Sequence, residues 1–115
     1  MTLELNDRAL FRQSCYVDGG WCDADSGESI EVNNPATNKV IGTIPKFGAA
    51  ETRRAIEAAD RAGPAWRAKT GKERAQLQRR WYELIMENQK DLALILTTEQ
   101  GKPLAEAMGE VVYGA

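Results

Sequence analysis

Residues 97–107, TTEQGKPLAEA, close one amphipathic helical run and open another. Gly101 follows the last periodic residue and suits a left-handed helix C-cap, because it has no Cβ to strain that conformation. Two residues on, Pro103 has the fixed φ of a first helical turn, so a helix-stop-helix corner is predicted here. Downstream, Leu104, Met108, Val111, Val112 and Ala115 share one helical face, while Glu106 and Glu110 lie one turn apart on another. That helix carries an apolar stripe up to Ala115, a pattern expected of an interior element cut short.

Upstream of the corner, Leu92, Ile95 and Leu96 form a stripe that ends at Gln100, with Asn88 and Asp91 offering a fresh start or a bend. Leu77, Trp81, Leu84 and Ile85 line the helix before that. Its start is the capping-box string Thr70-Gly71-Lys72-Glu73, in which Thr70 and Glu73 can each satisfy the other's backbone amide. Further back, Ala55, Ile56, Ala59 and Ala62 give residues 51–62 a small-residue stripe suited to close packing. Gly63-Pro64 is expected to interrupt this helix, leaving Ala65–Ala68 as a short turn whose Trp66 enters the core.

The period changes to that of strands before Gly48. Tyr16-Val17 and Trp21 flank Gly19-Gly20, a pairing that supplies positive φ for a tight hairpin. A turn-rich DADSG follows at 23–27, then SIEV at 29–32, the Asn34-Pro35 turn, and the β-branched run 40–44 ended by Pro45. The expected organisation is an arm or short helix over 1–14, a small antiparallel β-meander over 15–47 and helices over 49–115. This is an α+β segment, incomplete at its C-terminal end.

Composition narrows the functions available. Formal net charge is -2 and the pI is about 5.2, so no excess of Lys and Arg favours nucleic acid or an anionic membrane. The first residues lack the basic start and apolar run of a secretory signal, and no stretch approaches the ~20 apolar residues of a membrane span. A cytoplasmic location is expected. The chain has no His, which excludes Ser-His-Asp and Cys-His catalysis within it.

Candidate chemistry is sparse. Cys15 and Cys22 flank the hairpin, and no neighbour in sequence lowers a thiol pKa, so both read as strand residues. Glu106 and Glu110 could hold a cation or share a proton, but a solvated helix face explains the same spacing. Lys102 lies outside any P-loop or G-x-G-x-x-G pattern, and offsetting the negative end of the preceding helix dipole is its expected role. Trp21, Trp66 and Trp81 occupy separate elements and read as core anchors rather than a base-stacking platform.

The strings YVDGGW (16–21), NNPATNKVIGTIP (33–45), AIEAADRAGPAWRAKTGKERAQLQRRWYELI (55–85) and above all DLALILTTEQGKPLAEAMGEV (91–111) resemble the N-terminal part of NAD(P)-dependent aldehyde dehydrogenases, most of all the bacterial succinate-semialdehyde branch. The resemblance implies an α/β parent with a Rossmann-like cofactor domain, to which this segment leads in. It implies a parent enzyme that oxidises succinate semialdehyde or a related aldehyde to the acid with reduction of NAD or NADP. In the family a thiolate attacks the carbonyl, hydride passes to the nicotinamide, and glutamate-activated water releases the acid.

The family's catalytic cysteine, general-base glutamate, oxyanion asparagine and nicotinamide-contacting strands all lie later in its pattern. No catalytic or cofactor-binding residue is therefore assigned here, neither Cys15 nor Cys22 is the nucleophile, and the chain alone is expected to be inactive and to bind no dinucleotide tightly. Some relatives hold a structural cation through positions that map to Val32, Asn33 and Glu110. A dimeric or tetrameric parent is also implied. Two rival readings are a stand-alone, non-catalytic module docking through Leu104, Met108, Val111 and Val112, and a parent among the acyl-phosphate or coenzyme A-dependent relatives.

Overall fold

A computed structural model describes residues 3–115. A one-turn 3-10 helix over Arg8–Leu10 precedes strands β1 (Cys15–Val17), β2 (Gly20–Cys22), β3 (Ser29–Asn33) and β4 (Val40–Pro45). Helices α1 (Ala49–Ala68), α2 (Gly71–Glu87), α3 (Gln89–Gln100) and α4 (Leu104–Gly114) follow. Antiparallel strands followed by amphipathic helices are the expected α+β arrangement.

The strand pairing is finer than a meander: β1 pairs only with β2, and β3 only with β4. The outer edge of β4 is met by the chain before β1, not by a strand. Thr43 N–H donates to Gln13 Oε1 at 2.8 Å. Gly42 makes this approach possible, since a Cβ there would stand 3.0 Å from Gln13 Oε1 and from the Phe11 ring. A side chain thus takes the place of a third strand.

In the first hairpin the turn falls on Asp18-Gly19, one residue earlier than the glycine pair suggests. Asp18 (φ 51°) and Gly19 (φ 78°) are both left-handed, the geometry of a type I′ turn, and Gly20 pairs with Val17. Asp tolerates this conformation through local hydrogen bonding, so the second glycine is free to join the strand. The β3–β4 connection closes through Asn34, whose N–H donates to Lys39 O at 2.9 Å while its Oδ1 accepts from Ala36 N–H at 2.9 Å.

Helix α1 corrects one expectation: it runs unbroken through Pro64 to Ala68. Proline removes one amide from the ladder, and its ring crowds both the carbonyl one turn back and the preceding residue's N–H and Cβ. Gly63 has no Cβ, so one part of that crowding is absent and Pro64 lies on an exposed face of the helix. The capping box of α2 forms as expected: Thr70 Oγ1 accepts from Glu73 N–H at 3.2 Å, and Glu73 Oε2 accepts from Thr70 N–H at 2.7 Å. Asn88 breaks the helical run and separates α2 from α3. Gly101 (φ 85°) adopts the left-handed cap and its N–H returns to Thr97 O at 2.9 Å. Pro103 sits at the N-cap of α4, immediately before the first helical residue.

Helix packing is concentrated between α3 and α4, where Ala93 and Ala107 are both 0% exposed. Alanine at both contacts lets the two backbones approach closely. The tryptophans are not core anchors: Trp21, Trp66 and Trp81 are 48%, 39% and 68% exposed. Likewise α1 buries Glu51 and Ala58 rather than Ile56, Ala59 and Ala62, which face outward.

Dimensions supply the reason. The radius of gyration is 16.6 Å, against about 13 Å for a compact domain of this length. Accessible surface is 8409 Å², against roughly 6,200 Å² for a compact monomer of this mass. The described residues form an open plate whose large apolar side chains have no partner within it to bury them.

Candidate functional site

The corner at Gly101 gathers the strings that were most distinctive in the sequence. A Cβ on Gly101 would lie 2.8 Å from Pro35 Cγ, so the Asn34-Pro35 turn packs directly on the α3–α4 corner. Glycine is required there twice over, by its φ and by the approach of the proline ring. Lys102, whose side chain is only 16% exposed, pairs with Glu110 of α4. Its ammonium thus ties the corner to the helix that follows, a role the helix-dipole reading did not foresee. Gln89 Nε2 donates to Met108 O at 3.2 Å and joins the start of α3 to α4. Thr97 Oγ1 is buried without a hydrogen-bond partner beneath the corner.

Two carboxylates fasten the remaining pieces. Asp91, 5% exposed in the first turn of α3, accepts from Asp7 N–H at 2.8 Å, Asn6 N–H at 3.1 Å and Asn6 Nδ2 at 3.0 Å. These donors, the Asp7 amide foremost, hold its carboxyl below the usual carboxylate range despite its burial. Glu51, in the first turn of α1, accepts from Asp25 N–H and Gly48 N–H, each at 3.0 Å. Its pKa is lowered by the backbone amides of Glu51 itself, Asp25 and Gly48. Only this half of a capping box can exist, because Gly48 has no side chain.

Beside Glu51, Arg54 makes a two-pronged contact with Asp25, at 2.9 and 2.6 Å, which lowers the Asp25 pKa. Arg61 reaches Asp18 at the hairpin tip at 3.3 Å. Sequence reading left Asp91 as a helix start and did not single out Glu51, Asp25 or Gln13. An acidic residue in a helix's first turn is a legible signal. Its partner more than 80 residues away is not.

The hairpin face carries Tyr16 against Trp21, ring centroids 5.2 Å apart at 60°, with the Arg12 guanidinium 4.6 Å from the Trp21 ring centre. Cys15 and Cys22 are free and directly opposed in the β1–β2 register.

The structure therefore brings Lys102 to Glu110 and Cys15 to Cys22, and leaves Glu106 exposed. Asn33 is exposed opposite Val40, and Val32 half-buried opposite Gly42. Glu110, the carboxylate that the cation mapping would use, is neutralised by Lys102. Among the described residues no group of three or more His, Cys, Asp or Glu could hold a metal ion. No helix among them is long and apolar enough to cross a membrane.

The N-termini of α1 and α2, where a pyrophosphate could bind, are occupied by the chain's own Glu51 and Glu73 carboxylates. An open groove of 510 Å³ lined by Leu94, Leu104, Ala105 and Met108, with Asp91 and Lys90 at its rim, has the apolar character of a packing surface. The arrangement is built to hold elements together, and its carboxylates are saturated by amides and cations.

A model of the aldehyde dehydrogenase family matches residues 21–115. The chain is 66% identical over 113 residues to glutarate-semialdehyde dehydrogenase of Pseudomonas aeruginosa, covering 98% of this chain and 23% of that protein. It is 58% identical over 113 residues to the NADP(+) succinate-semialdehyde dehydrogenase of Escherichia coli, again covering 98% and 23%. The crystal structure of succinate-semialdehyde dehydrogenase from Burkholderia pseudomallei superposes with a TM-score of 0.93 at 57% identity, over 96% of this chain and 23% of that one. The chain thus spans about a quarter of the length of these relatives. With the family match reaching from β2 to Ala115 and the fold shared at this level of identity, the chain belongs to the aldehyde dehydrogenase family.

Proposed function

We propose that this chain is the N-terminal scaffold of an NAD(P)-dependent dehydrogenase that oxidises a short semialdehyde bearing a terminal carboxylate, succinate or glutarate semialdehyde, to the dicarboxylic acid. The observation that carries the reading is the 66% identity, over nearly the whole chain, to a glutarate-semialdehyde dehydrogenase of which it spans 23%. The uncovered apolar faces of α1, α2 and α4 agree with it, since a larger protein would bury them. In this reading the segment contributes no catalytic or cofactor-binding residue. It sets the position of α3 and α4 through the Gly101 corner and the Asp91 and Glu51 ties, and the parent is a cytoplasmic homo-oligomer.

The test is direct. The reading frame through and beyond Ala115 is expressed and assayed for aldehyde-dependent formation of reduced nicotinamide with both semialdehydes and both cofactors. Turnover by the whole frame and none by residues 1–115 is the expected result. Aldehyde oxidation by the 115-residue chain, or an inactive whole frame with both substrates, overturns the proposal.

A further inference from the structure

Cys15 and Cys22 face each other at the open end of one short ladder, away from its turn. With Asp18-Gly19 as the turn, Val17 and Gly20 form its hydrogen-bonded closing pair, and strict alternation makes Cys15 and Cys22 the next such pair. Opposed residues of this kind have Cα atoms about 5.5 Å apart, inside the roughly 4.4–6.8 Å range that a disulfide spans. The sulfurs are also accessible. Cys22 is exposed and Cys15 half-buried, both are free thiols, and Cys22 Sγ already leans across the ladder to within 3.5 Å of Cys15 O.

We propose that Cys15 and Cys22 form a redox couple that a hydroperoxide closes to a cross-strand disulfide. The Cys22 thiolate attacks the peroxide, the O–O bond breaks, and a sulfenic acid forms on Cys22 with release of one water. The Cys15 sulfur then attacks that sulfenic sulfur, the S–O bond breaks, and the second water leaves. Two thiols lose two electrons and two protons, and the peroxide is reduced to water. Disulfides across a hydrogen-bonded strand pair and open to solvent belong to the readily reduced class, so a dithiol reopens this one. Closing it clamps the hairpin whose tip, Asp18, is tied to Arg61 of α1.

The experiment expresses the whole reading frame that begins with this chain, treats the folded protein with hydrogen peroxide, alkylates it in denaturant, digests it with trypsin and weighs the peptide holding Cys15 and Cys22. The expected product takes up no alkyl group, weighs two hydrogens less than the dithiol, and regains two alkylation sites after dithiothreitol. Cys15→Ser should then stop at a sulfenic acid on Cys22 that dimedone traps. Two alkylated thiols after peroxide, sulfinic acids in place of the cross-link, or disulfides only between separate chains would each overturn the proposal.

Discussion

Replacing Gly101 by Ala tests the corner that holds the two halves of this segment together. Two costs are expected. Ala must adopt φ near 85°, and a non-glycine residue in left-handed backbone costs about 1–2 kcal/mol. Its Cβ would also stand 2.8 Å from Pro35 Cγ, where a ring carbon held by the Asn34 turn cannot swing aside as a flexible side chain would. Overpacking of this kind adds about 1–3 kcal/mol. The combined loss of about 2–5 kcal/mol is a large share of the ~5–15 kcal/mol that stabilises a typical domain.

Equilibrium unfolding in urea, followed by helical circular dichroism, measures the loss. The two terms separate in a Pro35→Ala background, because Pro35 Cβ lies at an ordinary 3.7 Å from the added methyl and only Cγ is too close. There Gly101→Ala should cost only the backbone term, leaving at least about 1 kcal/mol of coupling between the two sites. A change below about 0.5 kcal/mol for Gly101→Ala alone would refute the backbone assignment. An unchanged cost in the Pro35→Ala background would refute the contact.

Asp91→Asn should release the arm at Asn6 and Asp7, read as a shift of the Asp7 amide proton in NMR spectra. Because the folded Asp91 pKa is lowered, the folded state holds fewer protons than the unfolded, so this tie is complete above the ordinary carboxylate range and is lost as pH falls through the depressed value. The variant should show no such titration at Asp7; an Asp7 amide unmoved by the substitution would sink the tether. At the α3–α4 contact, Ala107→Leu should cost about 1–3 kcal/mol by forcing the helices apart, whereas Val112→Ser, on the exposed face of α4, should change stability by less than about 0.5 kcal/mol. Equal effects of the two substitutions in the same unfolding assay would show that this helix pair does not close on its alanines.

Local structure was legible wherever a residue's own backbone chemistry settles it. The Thr70–Glu73 box, the Gly101 cap, the break at Asn88 and the β-branched strand at 40–44 follow from hydrogen-bonding capacity, allowed φ and side-chain period within a few residues. The same local logic misread Gly63-Pro64, because a preceding glycine removes the Cβ part of proline's crowding and helix α1 continues past it. It also misplaced the three tryptophans. Apolar character marks a side chain for burial without naming the partner, and none of the described residues covers these three.

Which distant groups meet is settled only once the chain has folded. Pro35 against Gly101, the Asn6 and Asp7 amides on Asp91, the Asp25 amide on Glu51 and the Thr43 amide on Gln13 each join residues 26 or more apart. Such contacts depend on the path of the whole chain, which no local pattern encodes. Most of the elements, apart from the passage through Pro64 and the strand pairing, and through its strings the family, could be read from local pattern alone. The fold determined that the carboxylates, Lys102 and Gly101 act as fasteners, because each is saturated by a partner that only folding delivers.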